Sequence, residues 1–453
     1  MPICNINGQP VTFREGDTIL ETARSAEISI PTLCYLKDLN RPAACRICVV
    51  EVEGMPRLVP ACSTPAREGM VVHTESEKVV TSRKRTLDLM CRNHRMDCEY
   101  CPNYTFCELH ALLRRYGIDD RPYSQTYHPR NADESGRCIV RDPSKCVLCR
   151  RCVAACQRQG LDVIGPLKRA AEIKIGGVVS IADGACMGCG QCVRHCPTGA
   201  LFIRSDSDEI FRALNQKKHI VFGLTRQTAE NIGLFFGEQQ PADHMGKLFA
   251  LLKKAGAAAV YDVTGWEDRG LERAAALTAE RLVGTDGPVV VTKCPAAAKA
   301  LPDALKLSSA EEMFHSYVHG EYAPAYRIQA EDIFTVYVSP CTAAKRAHTS
   351  DLVLTTTELY AWLNRVCVSK FTLRQVWERT ATEALPSREP DRDWQEHLRE
   401  RLGIEVHSAD SIPEAKEMIK QGARLVTVRA CPGGCQQGGG QFRAHGYQDK
   451  GCC

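Results

Sequence analysis

The chain has 453 residues, of which 44% are hydrophobic and 25% are charged, and its formal net charge is +4. This length is long for one hydrophobic core and predicts two to four domains, while the composition is that of a soluble globular protein and the charge does not indicate a nucleic-acid-binding protein. No run approaches the roughly 18 apolar residues that a membrane-spanning helix requires.

Cysteine is the residue type that stands out. The chain has 25 cysteines, and 17 of the first 18 lie between Cys34 and Cys196, mostly in C-x2-C groups. A secreted disulfide scaffold is normally short and carries a signal peptide, whereas this sequence opens with the polar stretch MPICNINGQP. We therefore expect a protein of a reducing cytoplasm whose thiolates bind metals.

Residues 1–77 are predicted to form a small β-rich domain. Two short strands flank the turn NGQP, and Thr18 and Glu21 are spaced as the capping box of a helix. Four cysteines follow: Cys34, Cys45, Cys48 and Cys62. Their spacing is neither that of a zinc finger nor that of a bacterial ferredoxin, and a [2Fe–2S] cluster fits it best, with zinc or free thiols as the alternative.

Residues 78–117 carry one histidine and three cysteines in the spacing H-x3-C-x2-C-x5-C. They are His94, Cys98, Cys101 and Cys107. Because three cysteines and one histidine also form an ordinary structural zinc site, the spacing alone does not decide between zinc and a cluster.

The stretch PTLCYLKDLNRPAACRICVVEVEG, with PACSTPAREGMVV after it, resembles the plant-type ferredoxin module of respiratory NADH dehydrogenase iron–sulfur subunits and of iron-only hydrogenases. In both families a His-ligated [4Fe–4S] module with this spacing follows, so the resemblance implies such a cluster at His94. Arg95 stands where the family usually has proline, so this loop is expected to be braced differently.

A polar linker over 118–137 precedes residues 138–205, which contain the runs CVLCRRCVAAC and CMGCGQCVRHCP. Each run has the bacterial ferredoxin spacing C-x2-C-x2-C-x3-C, in which the fourth cysteine ligates the other cluster. Pro197 completes the second run, whereas Gln157 replaces proline after the first. One [4Fe–4S] cluster is thus assigned to Cys146, Cys149, Cys152 and Cys196. The other is assigned to Cys156, Cys186, Cys189 and Cys192.

An α/β pattern takes over in residues 206–453. HIVFGL, AAAVYDV and GPVVVTKC predict buried strands, and DHMGKLFALLKKAG and LERAAALTAERLV predict helices. Three cysteine-bearing loops follow strands: TKCPAAAKALP, VSPCTAAKRAH and VRACPGGCQQGGGQ.

These loops, with LVLTTTEL after the second, resemble the signature loops of iron-only hydrogenases, and the resemblance covers almost the whole chain. In that family the loops bind a [4Fe–4S] cubane, one of whose cysteines also bridges to an organometallic di-iron centre. The resemblance implies that the cubane ligands are Cys294, Cys341, Cys431 and Cys435, with Cys435 at the bridging position.

Several positions depart from that family. Lys293 stands at the place of the proton-relay cysteine, Ser339 and Arg429 replace methionines, and Ala344 replaces the lysine that anchors a cyanide ligand. Lys345, one position later, would need a shifted backbone to replace that lysine.

The family's segment GATGGVMEA has no counterpart, and the chain stops 18 residues after Cys435. We therefore expect neither a di-iron subsite nor a catalytic residue in this chain. Two alternatives are open for Lys293 and Arg429: they lie near the vacated site and stabilise the reduced cubane, or both side chains point to solvent.

The predicted fold class is thus α+β multidomain: a β-grasp [2Fe–2S] ferredoxin, a His-ligated [4Fe–4S] module, a bacterial 2×[4Fe–4S] ferredoxin and an α/β iron-hydrogenase-like domain. The sequence has no G-x-G-x-x-G after a strand, no Walker A loop and no flavin signature, so flavin and NAD(P) are expected on partner chains. Six cysteines have no assigned role: Cys4, Cys91, Cys138, Cys367, Cys452 and Cys453.

The resemblance implies an electron-transfer subunit of a cytoplasmic electron-bifurcating NADH/NADPH/ferredoxin transhydrogenase, similar to the A subunit of Stn-type transhydrogenases. Its expected partners are an NADH-oxidising flavoprotein, a small thioredoxin-like [2Fe–2S] subunit and soluble ferredoxin, in a heterotrimer that oligomerises further. Nucleic acid and membrane are not expected partners. The alternatives are a divergent or sensory hydrogenase in which Lys293 relays protons, and an iron or redox sensor that regulates a partner.

Overall fold

The computed structural model describes residues 1–101, 103–118, 131–167, 174–177, 180–182, 184–236, 244–264, 266, 271–346, 348–366, 377, 394–432 and 435–441. Most of the predicted linker and three of the unassigned cysteines, Cys367, Cys452 and Cys453, lie outside these residues.

The first domain is a five-stranded sheet with one short helix. Its strands are β1 (Ile3–Ile6), β2 (Gln9–Thr12), β3 (Val49–Val52), β4 (Val59–Pro60) and β5 (Val71–His73), and its helix is α1 (Ile19–Ser25). The sheet order is β2-β1-β5-β3-β4, with β1 and β2 forming the predicted antiparallel hairpin. The predicted capping box is confirmed, because the Thr18 hydroxyl accepts the Glu21 N–H and the Glu21 carboxylate accepts the Thr18 N–H.

Two small modules follow. The first is built on helices α2 (Glu77–Arg92) and α3 (Glu108–Tyr116). The second contains β6 (Ile139–Arg141), α4 (Arg151–Arg158), β7 (Gly165–Leu167), β8 (Lys174–Gly176), α5 (Gln191–His195) and β9 (Leu201–Ile203). In it β6 pairs with β9 and β7 with β8, both antiparallel.

The remaining part is an α/β structure with two parallel sheets. Its strands are β10 (His219–Leu224), β11 (Ala259–Asp262), β12 (Val289–Thr292), β13 (Leu305–Lys306), β14 (Ile333–Ser339), β15 (Leu352–Thr355), β16 (His407–Ala409) and β17 (Leu425–Val428). One sheet has the order β11-β10-β14-β15 and the other β13-β12-β17-β16. The predicted strand HIVFGL coincides with β10, which is buried over five of its six residues.

Helices pack on both sheets. They are α6 (Asp208–Asn215), α7 (Arg226–Phe235), α8 (His244–Lys254), α9 (Leu271–Val283), α10 (Pro295–Ala300), α11 (Ala310–Tyr317), α12 (Ala323–Ala325), α13 (Thr356–Val366), α14 (Trp394–Leu402) and α15 (Ile412–Lys420). Both helices predicted in this part are present, as α8 and α9. In the described ranges no helix combines the length and the apolar character that crossing a bilayer would require.

Each of the three predicted cysteine loops begins where a parallel strand ends. Cys294 follows β12, Cys341 follows β14 and Cys431 follows β17. The carboxyl ends of parallel strands meet at one edge of a sheet, and β12 and β17 are neighbours. The fold thereby carries cysteines that are far apart in sequence toward a common place.

Candidate metal centres

The four cysteines of the first domain form a buried group of interacting thiols. Cys45 donates a hydrogen bond to Cys34 and Cys62 donates one to Cys48, which lowers the pKa of the Cys34 and Cys48 thiols to about 6 and about 7. The pKa of each donor thiol is raised for the same reason. The domain therefore holds two readily formed thiolates beside two further sulfurs, a donor set that fits a [2Fe–2S] cluster.

The loop around Cys34 is shaped by residues in unusual backbone conformations. Ala43 and Arg46 have φ of 50° and 58°, in the left-handed region that residues other than glycine rarely adopt. The backbone N–H groups of Ala44 and Cys45 point at the Cys34 sulfur as a result. Hydrogen bonds to cluster sulfurs are among the features that set reduction potentials.

The second group contains Cys98, Cys101 and Cys107, whose thiols interact electrostatically, and burial raises the pKa of Cys107 to about 12. His94 is 7% exposed, and its Nδ1 is buried with no hydrogen-bond partner in the described structure. Burial first and the Lys145 ammonium second lower the His94 pKa to about 4. The imidazole is thus neutral, the form that binds metals, and its unpaired nitrogen fits a ligand to iron.

Arg95, the residue at the family's proline position, braces this loop with charge. Its Nε lies 2.8 Å from Asp97 Oδ2 and its Nη1 lies 3.3 Å from Asp142 Oδ2. Its backbone N–H also donates to the Ser144 carbonyl at 3.0 Å. The expected difference in bracing is therefore present, and it ties the His94 loop to the following module.

The two ferredoxin-type runs interlock as their spacing predicts. Cys149 interacts with Cys146 and Cys196, while Cys192 interacts with Cys186 and Cys189 and also with Cys156. Burial and the neighbouring thiols raise the pKa of Cys149 to about 12 and that of Cys192 well above its usual value. Such crowding disfavours four thiolates without metal, and bound iron would relieve it.

Matching positions of the two runs share the left-handed conformation. Leu148 and Arg150 have φ of 56° and 62°, and their equivalents Gly188 and Gly190 have φ of 75° and 72°. A bulky residue in this region is strained, and such strain concentrates at functional sites. Both loops are therefore wrapped in the same way around the space between their cysteines.

Two polar residues join the first domain to the ferredoxin-type module. Asn40 is 8% exposed, and its Nδ2 donates to the carbonyl of Cys34 at 2.8 Å and to that of Cys149 at 3.0 Å. Arg151, 3% exposed, donates to the Cys34 carbonyl and pairs with Glu108 at 2.7 Å. The Asn40 and Arg151 side chains place two candidate cluster sites against each other. Sequence reasoning missed both residues, because no motif around position 40 or 151 indicates a contact between modules.

The module of His94 also abuts the ferredoxin-type module. A Cβ built on Gly199 would lie 2.7 Å from Cys101 Sγ, so the backbone there passes directly over this thiol. The Glu108 N–H donates to the Pro197 carbonyl at 2.9 Å in the same turn. The turn that carries Cys196, itself a candidate ligand in the ferredoxin-type module, is therefore also in contact with the group of Cys98, Cys101 and Cys107.

The fifth group gathers the three loops of the α/β part. The Cys341 thiol interacts with those of Cys294, Cys431 and Cys435, and burial together with these neighbours raises its pKa well above the usual value. Cys431 interacts in turn with Cys189, across the boundary to the ferredoxin-type module. The loops thus bring together the four cysteines predicted to hold a cubane, and they place them next to a second candidate cluster site.

The ferredoxin-type module and the α/β part are in close backbone contact at this boundary. A Cβ on Gly190 would lie 2.3 Å from Thr342 Oγ1 and 2.9 Å from Gly439 Cα, so only glycine fits there. Gln191 Nε2 donates to the Gln437 carbonyl at 2.9 Å. Helix α5 is therefore fixed directly on the loop that carries Cys435.

The three basic residues of the altered loops have different surroundings. The Lys293 Nζ is buried. Lys345 is 1% exposed and pairs with Glu358 at 2.6 Å and with Asp206 at 2.8 Å. This buried ion pair holds the Lys345 ammonium.

For Arg429 the structure favours the second alternative, a side chain directed to solvent. Its Nη2 and Nε lie 2.8 Å and 2.9 Å from the Asp410 carboxylate, and its side chain is 42% exposed. A carboxylate and water therefore compensate the charge of Arg429.

All 22 described cysteines are free thiols. Among those without an assigned role, Cys4, Cys91 and Cys138 are at most 3% exposed and belong to three different hydrophobic clusters. These three therefore serve as core residues.

Within the described ranges, no group of three or more His, Cys, Asp or Glu residues converges on a point where one metal ion would be held. The ligands of an iron–sulfur cluster each bind a different iron or share a two-iron unit, so they need not converge in that way.

Comparison with known proteins divides the chain among four families. Residues 3–77 match a 2Fe-2S iron-sulfur cluster binding domain, and residues 83–122 match the NADH-ubiquinone oxidoreductase-G iron-sulfur binding region. Residues 145–200 match a 4Fe-4S dicluster domain, and residues 218–383 match the C-terminal domain of the iron only hydrogenase large subunit.

Three relatives illustrate the similarity. The NADP-reducing hydrogenase subunit HndD of Solidesulfovibrio fructosivorans is 30% identical over 518 residues, which covers 97% of this chain and 88% of the relative. Iron hydrogenase 1 of Clostridium pasteurianum is 29% identical over 75% of this chain and 62% of the relative. The NADPH-Fe(3+) oxidoreductase subunit alpha of Geobacter sulfurreducens is 35% identical over 43% of this chain and 23% of the relative.

Proposed function

The chain belongs to the family of iron-only hydrogenase large subunits represented by HndD, and on that basis we propose that it conducts electrons within an NAD(P)H-dependent complex. More narrowly, we propose an iron–sulfur subunit of a cytoplasmic electron-bifurcating NADH/NADPH/ferredoxin transhydrogenase that carries out no hydrogen chemistry. The proposed domain boundaries are those predicted above: 1–77, 78–117, 138–205 and 206–453.

One observation carries this proposal: the candidate cluster sites adjoin one another in an unbroken series. Asn40 joins the Cys34 and Cys149 groups. Cys152 and Cys192 interact across the two ferredoxin-type groups, and Cys189 interacts with Cys431. When bound, one [2Fe–2S] and four [4Fe–4S] clusters, one of them His-ligated, would supply one-electron transfer along this series.

The protein supplies the ligands, the shielding and the contacts between sites. In the first domain all four candidate thiols are buried, which keeps water from the metal position. The Asn40 and Arg151 side chains hold neighbouring modules in register. The proposed ligands are the twenty residues named from the sequence. The chain itself needs no bound flavin or nicotinamide for this role.

The absence of hydrogen chemistry is proposed from the altered loops. A di-iron centre depends on donors that orient its diatomic ligands and on a route for protons. Alanine replaces the family's lysine at position 344, Lys345 is bound in a buried ion pair, and Lys293 occupies the place of the relay cysteine. These three observations support a terminal cubane without an attached di-iron unit.

The names of the relatives support the proposed partners. HndD is a subunit of an NADP-reducing hydrogenase, and the Geobacter relative is the alpha subunit of an NADPH-Fe(3+) oxidoreductase. We propose that this chain joins an NADH-oxidising flavoprotein and a small [2Fe–2S] thioredoxin-like subunit, and that it exchanges electrons with soluble ferredoxin.

The test is metal analysis and spectroscopy of the native complex purified without oxygen, together with turnover. We expect about 18 irons per chain from one two-iron and four four-iron clusters. Infrared spectra should lack bands of metal-bound CO and CN. The complex should reduce NADP with electrons taken together from NADH and reduced ferredoxin, and it should need both donors. A purified complex that has its clusters but no NADH-linked activity would contradict the proposal and favour a redox sensor.

A second candidate, a divergent hydrogenase, is favoured by the name of HndD and by the buried Lys293 ammonium at the relay position. It predicts hydrogen evolution after maturation of the chain with a synthetic di-iron cofactor. Activity that Lys293→Ala abolishes would establish this candidate and overturn the proposed conductor.

A further inference from the structure

A cavity of about 220 Å³ lies beside Cys186, away from the space enclosed by the four cysteines of that group. Residues 135–139 form one wall, and Ile181, Ala182, Gly188 and Arg346 form the rest. Its volume is below the roughly 300–1,000 Å³ of pockets that enclose a cofactor or drug-sized ligand. The cavity suits a side chain or two better than a nucleotide.

Two cations meet at the carbonyl of Cys186. Lys299 Nζ lies 2.6 Å from this oxygen and Arg346 Nη1 lies 2.9 Å from it. In the part of the chain that the structure describes, neither cation has a carboxylate within salt-bridge distance. Repulsion from Arg346 accordingly contributes, after burial, to a lowered Lys299 pKa. Two like charges sharing one neutral acceptor form a site that still attracts an anion.

Arg346 is held in this position by the loop of the candidate cluster site. A Cβ on Gly188 would lie 2.9 Å from Arg346 Cδ, so the arginine side chain lies directly over this glycine, between Cys186 and Cys189. A third cation, Arg137, lines the cavity and is exposed. Arg137 makes no hydrogen bond or salt bridge to any residue that the structure describes.

Among the residues that the structure describes, the nearby carboxylate of Asp133 forms no salt bridge with Arg137, Lys299 or Arg346. Its carboxylate accepts hydrogen bonds from Ser135 and from the Ile181 N–H. We call the space lined by Arg137 and Arg346, with Lys299 at the Cys186 carbonyl, the cationic cavity.

We propose that the cationic cavity is a docking site for the acidic surface of a soluble iron–sulfur electron carrier. Carboxylates of the carrier would pair with Arg137, Lys299 and Arg346, directly against the loop of Cys186. One electron would pass between the carrier and the cluster of this loop, so that one is oxidised and the other reduced, with no bond formed and no proton moved. Electrons would thus enter or leave in the middle of the series, without crossing the first domain.

This inference rests on the proposed function, because it assumes clusters at the named cysteines and a protein carrier as partner. Charge complementarity at a docking site acts mainly on the association rate and is screened by salt. An electrostatic docking site therefore has a kinetic signature that a structural role of the same residues lacks.

The experiment mixes an acidic two-[4Fe–4S] ferredoxin, reduced beforehand, with the oxidised full chain containing its clusters and follows electron transfer by stopped-flow absorbance. Arg137→Glu should lower the second-order rate constant at low salt about tenfold, Arg137→Gln should lower it less, and the differences should shrink as salt is raised. Arg137 is chosen because it touches no candidate ligand. Arg273→Glu, an equally exposed charge reversal on α9, is the matched control and should leave the rate unchanged.

Iron content and the EPR signals of every variant show whether its clusters are intact. If Arg137→Glu with intact clusters reacts as fast as Arg273→Glu at low salt, the docking site is refuted. NADH-linked turnover of the complex is measured separately, because it reports on the proposed function and not on docking. A chain that exchanges electrons with ferredoxin in an Arg137-dependent manner, in a complex without turnover, would keep the docking site and overturn the function.

Discussion

Replacing Lys345 by methionine tests whether a buried ion pair holds the loop that carries Cys341. The Lys345 side chain is 1% exposed and that of Glu358 is 5% exposed. Removing the ammonium leaves the Glu358 carboxylate in the interior without its cation. Breaking such a pair by removing one partner costs about 3–5 kcal/mol in proteins.

The surroundings of Glu358 place the expected loss at the lower end of this range. Its carboxylate keeps hydrogen bonds from the N–H and the hydroxyl of Thr355 and from the N–H of Asp206. The side chain of Asp206 is 40% exposed, so its own carboxylate returns to water at little cost. We expect a loss of about 3 kcal/mol, which for a part of this size lowers the melting temperature by about 6–12 °C.

The assay is thermal unfolding of the chain with its clusters, followed by circular dichroism without oxygen at one scan rate. Lys306→Met is the matched control, because it breaks a surface pair with Glu312 whose side chains are 47% and 28% exposed. That control should lose less than about 1 kcal/mol. Equal melting temperatures for the two variants would refute the reasoning that burial makes the Lys345 pair important.

Three further predictions concern junctions and pH. Asn40→Ala removes the side-chain donor to the Cys149 carbonyl and leaves the Cys34 carbonyl with Arg151 alone. Electron equilibration between the Cys34 and Cys149 sites, followed by freeze-quench EPR, should therefore slow relative to exposed Asn93→Ala, and equal rates would contradict this. Gly190→Ala should block electron delivery to the terminal site, because its Cβ has no room, while Gly320→Ala, which meets nothing within 4 Å, should behave as wild type. Burial lowers the pKa of His219, so the imidazole stays neutral in the folded state. Its contribution to stability is present above about pH 6.5, the pKa of an unperturbed histidine. That contribution is lost as the pH falls through the lower pKa of the folded state. His219→Gln should flatten that part of the stability profile measured by urea unfolding, and an unchanged slope would argue against His219 as its source.

The buried Arg151 side chain contacts residues of three modules that carry candidate cluster sites. Its side chain reaches the first domain through the Cys34 carbonyl and the His94 module through Glu108, while its backbone belongs to the ferredoxin-type module. Three candidate sites therefore share one buried cation. Because Glu108 pairs with Arg151, this junction links the three sites through hydrogen bonds and an ion pair.

The sequence by itself determined the features that are local along the chain. Cysteines separated by two or three residues on one loop necessarily lie near one another. The spacing of the two runs therefore predicted a ferredoxin-type domain with two clusters, which the match of residues 145–200 to a dicluster domain confirms. The apolar run HIVFGL and the helical pattern of LERAAALTAERLV predicted β10 and α9 to within a residue, because both signals are properties of short segments.

Only the tertiary structure decided which distant residues meet. The Asn40 amide bridges the carbonyls of Cys34 and Cys149, which are 115 positions apart. The Arg429 charge, for which a place near the cluster was one alternative, is compensated by Asp410. Burial, pairing of charges and the cationic cavity depend on which loops the sheets bring to the same edge. Pattern along one chain contains no information on those distances, because electrostatic and packing energies depend on separation in space and not on separation in sequence.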